Sequence, residues 1–125
     1  MKVIDTTVAV DHLRGMEAAV ELMTRLVEED ETLAASELTR FELLAGIRPS
    51  ETDAFEQFCS SLVWLFVDED VARTGGSLAR KYRKTHSGID DVDYLIAATT
   101  IVIDADLLTT NVRHFPMFED LEPPY

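Results

Sequence analysis

Three acidic side chains lie where a carboxylate has an unusual environment. Asp5 directly follows the apolar residues Val3 and Ile4 and so ends the first predicted strand. Glu42 borders an apolar helix face, and Asp93 opens the most apolar helix of the chain. An isolated buried charge is very costly, so a bound cation is a plausible partner for these acids. The neighbours that give Glu42 this environment are Leu38, Ala45 and Gly46.

Carboxylates at separate strand and helix ends are hard oxygen ligands, which favour Mg²⁺ or Mn²⁺. Magnesium typically takes one or two protein carboxylates, keeps several waters and binds substrate phosphate oxygens, so the pattern points to phosphoryl chemistry. Zinc is disfavoured because the histidines lack ligand spacing and the one cysteine stands alone. We therefore predict surface or packing roles for His12, His86 and His114, and a buried packing role for Cys59.

Each acid also has an ordinary structural explanation. Asp5 has the position of a helix N-cap, and Glu42 is able to reach water or pair with Arg40 or Arg48. Asp93 belongs to a group of three acids, of which one is the helix cap and the others are either solvated or neutralised by a cation. The members of this group are Asp90, Asp91 and Asp93.

Short apolar runs alternate with helical segments along the chain. This predicts the α/β class, with a doubly wound parallel sheet covered by helices on both faces, in one domain over residues 1–125. The predicted strands cover residues 3–4, 33–35 and 62–67, with a last strand from Leu107. The first predicted helix ends at Gly15. The other predicted helices cover residues 17–29, 37–46, 51–61, 69–85 and 91–102.

The sequence predicts three further details of these elements. The continuous apolar run over residues 62–67 predicts a strand buried on both faces. The Gly75-Gly76 pair costs a helix about 1 kcal/mol per glycine relative to alanine, and it predicts a close approach of that helix to the sheet. The helix over residues 37–46 carries its predicted apolar residues at Leu38, Phe41, Leu44 and Ala45.

Ligands of such sheets bind beyond the carboxyl ends of the strands. Residues that follow or end predicted strands are therefore candidates for such a site, and they are Asp5, Ser36 and Asn111. Asn111 offers amide hydrogen bonds, although a turn accounts for it equally well. The chain lacks a Walker A loop, a G-x-G-x-x-G loop and a G-x-S-x-G elbow, which disfavours ATP, NAD and serine-hydrolase chemistry.

The chain has 24 acidic and 11 basic residues, giving a formal charge of −13. No apolar stretch approaches the roughly 20 residues of a membrane helix, and no basic leader precedes the first strand, so we expect a soluble, cytoplasmic protein without membrane contact. The charge argues against tight, nonspecific binding to nucleic acid. One basic helix face is a candidate RNA contact, with a solvated face as the alternative; it comprises Arg73, Arg80 and Lys84.

Four blocks of the sequence carry a family likeness. They are Val3-Ile4-Asp5-Thr6-Thr7, Thr39-Arg40-Phe41-Glu42-Leu43, Asp93-Tyr94-Leu95-Ile96-Ala97-Ala98-Thr99 and Leu108-Thr109-Thr110-Asn111-Val112-Arg113-His114-Phe115. In this order and spacing the blocks resemble PIN-domain ribonucleases of the VapC toxin type. The likeness spans nearly the whole chain.

The resemblance implies a PIN-like fold and a metal-dependent endoribonuclease. Asp5, Glu42 and Asp93 match the family's acidic positions and would hold Mg²⁺ or Mn²⁺, which would activate water for in-line attack on an RNA phosphodiester. Thr6 matches a polar residue that orients the first acid or a bound water, and helix capping is its alternative role. Asn111 stands where many members have an acid, which leaves the number of metals open. Asp91 is a candidate to compensate.

The resemblance also implies protein partners. A cognate antitoxin would cover the acidic site, plausibly by inserting a basic side chain, and the family tends to form homodimers. Two rival hypotheses remain: a catalytically silent PIN-like module that binds a partner protein, and a PIN nuclease of RNA maturation outside any toxin pair. Metal-dependent cleavage distinguishes the first rival, and the neighbouring reading frame distinguishes the second.

Overall fold

A computed structural model describes all residues, 1–125. The strands are β1 (Lys2–Ile4), β2 (Leu33–Ser36), β3 (Val63–Leu65) and β4 (Asp106–Leu108). The helices are α1 (Thr6–Leu13), α2 (Glu17–Glu28), α3 (Glu37–Gly46), α4 (Thr52–Ser60), α5 (Glu69–Tyr82) and α6 (Asp91–Val102). Short 3₁₀ turns cover Pro49–Glu51 and Val112–His114. None of the helices combines the length and the apolar character needed to cross a membrane.

The strands form one parallel sheet in the order β3-β2-β1-β4. Successive strand residues point to opposite faces, so Val3 and Ile4 enter two different cores. Ile4 belongs to the larger core, which includes residues of α1, α2 and α4, whereas Val3 packs with Ile96 of α6 and Leu107 of β4. Helices therefore cover both faces, which confirms the predicted doubly wound α/β class.

The helix starts follow from local capping. Ser36 accepts a hydrogen bond from the backbone N–H of Leu38 and begins α3, and Asp68 accepts one from Val71 and begins α5. Asp90 accepts one from the N–H of Asp93 and begins α6. These caps set the predicted starts of three helices, including the α6 start that places Asp93.

Strand β3 differs from its prediction. It covers only Val63–Leu65 and lies at the edge of the sheet, where Val63 is 47% exposed. Beyond it, Phe66 is 75% exposed. The prediction that the run over residues 62–67 is buried on both faces is wrong, because an edge strand has a neighbour on one side only and its apolar length does not reveal its place in the sheet.

Helix α3 also buries a different face from the predicted one. Thr39 and Leu43 are buried, whereas Phe41 is 65% and Leu44 is 47% exposed. The apolar residues of α3 therefore form two faces, and only one of them enters the core. The exposed face leaves an apolar surface on the outside of the molecule.

Gly75 makes the close approach predicted for the glycine pair, but to a helix and not to the sheet. A Cβ atom at Gly75 would lie 3.0 Å from Leu95 Cδ2 and 3.6 Å from the Cβ of Ala98, both on α6. The predicted contact with the sheet is wrong because α6 packs along this segment of α5. A Cβ atom at Gly76 would meet nothing within 4 Å.

We expect Gly75→Val to lower the free energy of unfolding by about 1 to 3 kcal/mol, because the added methyl groups overpack the contact between α5 and α6. Gly76→Val is the matched control: it makes the same chemical change one residue away, in open space. Urea unfolding followed by circular dichroism measures both. Equal stabilities of the two variants would contradict the proposed role of Gly75 in helix packing.

Candidate functional site

The candidate site lies at the carboxyl edge of the sheet, where β1 and β4 end side by side. Ile4 pairs with Leu108, and the backbone N–H of Asp5 donates to the Leu108 carbonyl at 2.9 Å, so the ladder extends to Asp5. Thr109 follows Leu108 and comes to lie beside Asp5. Parallel pairing therefore joins two residues that are 104 positions apart in the sequence.

Asp5 is 3% exposed and is held by hydroxyl groups. Thr109 Oγ1 donates to Asp5 Oδ2 at 2.7 Å, and Thr7 Oγ1 donates to the same oxygen at 3.2 Å. Burial raises the pKa of Asp5, while these two hydroxyls, the N–H of Thr6 and the charge of His114 act in the opposite direction. The Asp5 side chain makes no hydrogen bond that caps α1, so simple capping does not explain this acid.

Glu42 is positioned by Thr6, the residue after Asp5. Thr6 Oγ1 donates to Glu42 Oε1 at 2.7 Å and lies 3.1 Å from Thr39 Oγ1. Neither of the two arginines considered as partners reaches it: Arg40 pairs with Glu37, and Arg48 pairs with Glu51. Glu42 thus faces the start of α1 without forming a salt bridge.

The three acids at the start of α6 have separate roles. Asp90 is the cap, and Asp91 Oδ1 pairs with Nη2 of Arg83 at 2.6 Å. Asp93 Oδ2 lies 2.8 Å from Nδ1 of His114. Burial raises the pKa of Asp93 to about 6, the negative charge of Asp90 adds to the rise, and hydrogen bonds from His114 and from the Asp90 backbone N–H oppose it.

His114 is a site residue that the sequence interpretation missed. The prediction of a surface or packing role holds for His12 and His86, whose rings pack against Phe58 and Tyr82. It is wrong for His114, because the 3₁₀ turn Val112–His114 returns the chain over the start of α6. The available signal was its position three residues after Asn111, which puts both side chains on one side of such a turn.

Asn111 reaches Asp93 through His114. Its Nδ2 lies 2.8 Å from His114 Nδ1, the atom that also contacts Asp93. That nitrogen either donates to the Asp93 carboxylate or accepts from the Asn111 amide, according to the tautomer. The backbone N–H of Asn111 donates to Thr109 Oγ1 at 3.0 Å. Asn111 therefore connects the surroundings of Asp5 to those of Asp93.

One hydrogen-bonded network joins the predicted residues of the sheet edge. Thr109 bonds both Asp5 and the backbone N–H of Asn111, and the Asn111 amide lies beside His114, which contacts Asp93. Thr6, the residue after Asp5, holds Glu42 next to this network. No three histidine, cysteine or acidic side chains stand close enough together to form a closed metal-binding group. The donors instead suit a cation that keeps much of its water shell and binds one or two carboxylates, as Mg²⁺ does.

Only two of the three residues of the predicted basic face lie together in the structure. Arg73 is exposed and pairs with Glu69 within α5, away from the other two residues. Arg80 and Lys84 line a groove between α5 and α6, together with Arg83. Lys84 lies beyond the end of α5 at Tyr82, so helical spacing alone does not describe this group.

Comparison with known proteins gives one consistent family. The sequence model of the PIN domain matches residues 2–119. Ribonuclease VapC19 of Mycobacterium tuberculosis is 69% identical over all 125 residues and the whole length of both chains. Ribonuclease VapC10 of the same organism is 40% identical over 100% of this chain and 93% of its own.

The fold agrees with this assignment. A structure titled as a toxin-antitoxin complex from Klebsiella pneumoniae superimposes with a TM-score of 0.81 at 20% identity, covering 100% of this chain and 98% of the other. At that identity the match shows the fold alone, and the family rests on the sequence matches. These findings confirm the resemblance found in the four sequence blocks. The chain belongs to the PIN-domain family, in its VapC group.

Proposed function

We propose that the protein is a divalent-metal-dependent endoribonuclease, the toxin of a toxin-antitoxin pair, acting in the cytoplasm. The observation that carries the proposal is the network at the sheet edge, in which threonine hydroxyls hold Asp5 and Glu42 where cationic partners would otherwise be expected. Carboxylates oriented by hydroxyls and left unpaired with arginine are free to take a metal. The relative that is 69% identical is named a ribonuclease, which supports the same chemistry.

Asp5, Glu42 and Asp93 would hold the cofactor, Mg²⁺ or Mn²⁺, one or two of them directly and the rest through waters of its shell. Bound there, such an ion would acidify a water for in-line attack on the RNA phosphodiester and offset the charge that develops on the phosphate. Thr109 and Thr7 fix one oxygen of Asp5, and Thr6 fixes one oxygen of Glu42, so each carboxylate keeps its other oxygen for a ligand.

Asn111 and His114 are positioning residues in this proposal. Asn111 brings no negative charge, and its amide faces His114, which in turn faces Asp93. The fourth family position thus contributes an uncharged amide beside His114 in place of a carboxylate. Asp91, considered as a substitute acid, is instead engaged by Arg83.

Purified protein should cleave members of a panel of structured RNAs with Mg²⁺ or Mn²⁺ and lose that cleavage in EDTA. Restoring the metal to the EDTA-treated sample should restore cleavage, which separates metal dependence from damage to the protein. Cleavage that persists in EDTA would contradict the metal-dependent mechanism. Folded protein that cleaves no RNA with either metal would favour the silent binding module.

The antitoxin partner has a candidate docking pocket beside Glu42. The pocket has a volume of about 320 Å³ and is bounded by α1, α3 and α4, with apolar walls that include Leu43 and Phe55 and a rim that carries Arg14 and Arg48. A partner segment seated there would contact Glu42. Co-expression of this protein with the product of the neighbouring reading frame should yield a complex that does not cleave RNA. If the protein instead remains free and active, a role in RNA maturation is favoured.

The exposed face of α3 is the proposed surface for a homodimer. Phe41 and Leu44 on α3 are exposed, and other exposed apolar residues lie in and after β3, namely Val63, Phe66 and Val67. Single exposed apolar residues are common, but several large ones on a chain of this charge favour a covered surface. Sedimentation of the Phe41→Glu variant beside the unchanged protein tests it, since the proposal expects dimer only in the latter.

A further inference from the structure

A basic groove lies between α5 and α6, outside the network of acids. Its volume is about 720 Å³, and its lining includes Gly76, Arg80, Arg83, Lys84, Asp91 and Tyr94. Tyr94 directly follows Asp93, and Asp91 precedes it by two residues, so the groove and the candidate site share the first turn of α6. Asp93 itself does not line the groove, because it lies on another face of α6.

The charge of the groove is opposite to that of the chain. Three cationic side chains line it, against one acid, while the whole chain has a formal charge of −13. Asp91 pairs with Arg83, whereas Arg80 and Lys84 form no salt bridge. Two cations in a groove thus remain free for an anion on a protein that otherwise repels polyanions.

Tyr94 forms a buried wall of the groove. Its side chain is 2% exposed, and its buried hydroxyl has no hydrogen-bond partner within the protein. The guanidinium of Arg83 lies 5.8 Å from the centre of the Tyr94 ring and helps to define that wall of the groove.

We propose that this groove binds the phosphate backbone of RNA, with Arg80 and Lys84 as the phosphate contacts. This rests on the proposed function and revises the predicted contact set, because Arg83 replaces Arg73 in the group. RNA is favoured over an acidic protein segment because the proposed function makes RNA the substrate, and the groove shares the first turn of α6 with Asp93. Phosphate contacts position a strand without reading its sequence.

The test is the binding of fluorescein-labelled single-stranded RNA in EDTA, followed by anisotropy across a range of salt concentrations. The double variant Arg80→Gln/Lys84→Gln should bind at least about tenfold more weakly at 0.1 M salt. The slope of log K against log salt should fall by about 1.4, from roughly 0.7 per phosphate contact on a single strand. Arg25→Gln/Arg73→Gln is the matched control, since it removes the same charge from exposed residues outside the groove.

Gly76→Leu tests the groove without changing the charge. A side chain at this position starts in open space, so the fold should tolerate it, and its bulk would occupy the groove. We expect weaker RNA binding from this variant as well. Wild-type affinity and salt slope in both groove variants would overturn the proposal, as would an equal loss in the charge-matched control.

The outcomes also separate this proposal from the proposed function. If the unchanged protein cleaves RNA but the groove variants bind RNA normally, only the groove proposal fails. If no RNA is cleaved but binding depends on Arg80 and Lys84, the groove proposal stands and the nuclease fails. A polyglutamate peptide that binds through these residues, where RNA does not, would overturn the proposal in favour of an acidic protein partner.

Discussion

Asp5→Asn should lower RNA cleavage more than about a hundredfold, beyond the usual cost of losing a residue that only orients a ligand. The substitution removes one negative charge from the buried centre of the network and keeps the shape of the side chain. Its amide oxygen can still accept from Thr109 and Thr7, which now hold the carboxylate. Activity should therefore fall while the fold remains, which circular dichroism and thermal unfolding would verify.

Asp104→Asn is the matched control for this loss. Asp104 is exposed and has a positive φ of 53°, a conformation that asparagine tolerates well, and it lies outside the network. Initial rates on the RNA that the unchanged protein cleaves best, at fixed Mg²⁺, give the comparison. Cleavage by Asp5→Asn within a few-fold of the Asp104→Asn rate would remove Asp5 from the metal site.

The sequence reveals the strand ends because the relevant pattern is local. An apolar run followed by a polar residue marks where β1 ends, and parallel order then brings Asp5 to the edge where Asn111 also lies. The bounds of α6 are equally local, since Asp90 caps its start and an apolar stretch fills its length. These features suffice for the fold class and for which residues meet at the sheet edge.

The contacts that orient the acids are not visible in the same way. Thr109 is one of many threonines in the chain, and nothing local distinguishes a hydroxyl that binds Asp5 from one on the surface. The contact of His114 with Asp93 depends on a 3₁₀ turn that returns the chain to α6. Such contacts arise only when separate elements pack together.

The same limit explains the two errors about burial. The apolar run that contains β3 predicts a strand correctly, but its place at the edge depends on which strands pair. Phe41 and Leu44 have helical spacing with other apolar residues, but the core selects the face with Thr39 and Leu43. Composition gives the apolar character of an element, whereas packing order decides which side is covered.

Asp93→Asn should remove cleavage and at the same time stabilise the fold at neutral pH. The ionised Asp93 carboxylate is disfavoured by burial and by the charge of Asp90, which together raise its pKa from 3.8 to about 6. That difference corresponds to roughly 3 kcal/mol less stability at pH 7 than the protonated side chain would give. Asparagine is the neutral isostere and accepts the same hydrogen bonds, so Tm should rise by about 5 °C or more.

The sign of the expected change in Tm follows from how the stability of the protein depends on pH. Because the pKa of Asp93 is raised in the folded protein, the folded state takes up a proton first as the pH falls, and the unchanged protein gains stability between about pH 6 and 4. The Tm advantage of Asp93→Asn, measured in EDTA, should therefore be largest above pH 6 and vanish near pH 4. Asp90→Asn should show part of the same Tm advantage, because this substitution removes the nearby negative charge and keeps the capping oxygen. A Tm advantage that is unchanged from pH 4 to 8 would show that ionised Asp93 does not destabilise the fold. It would also contradict the idea that this acid is in place to bind a cation.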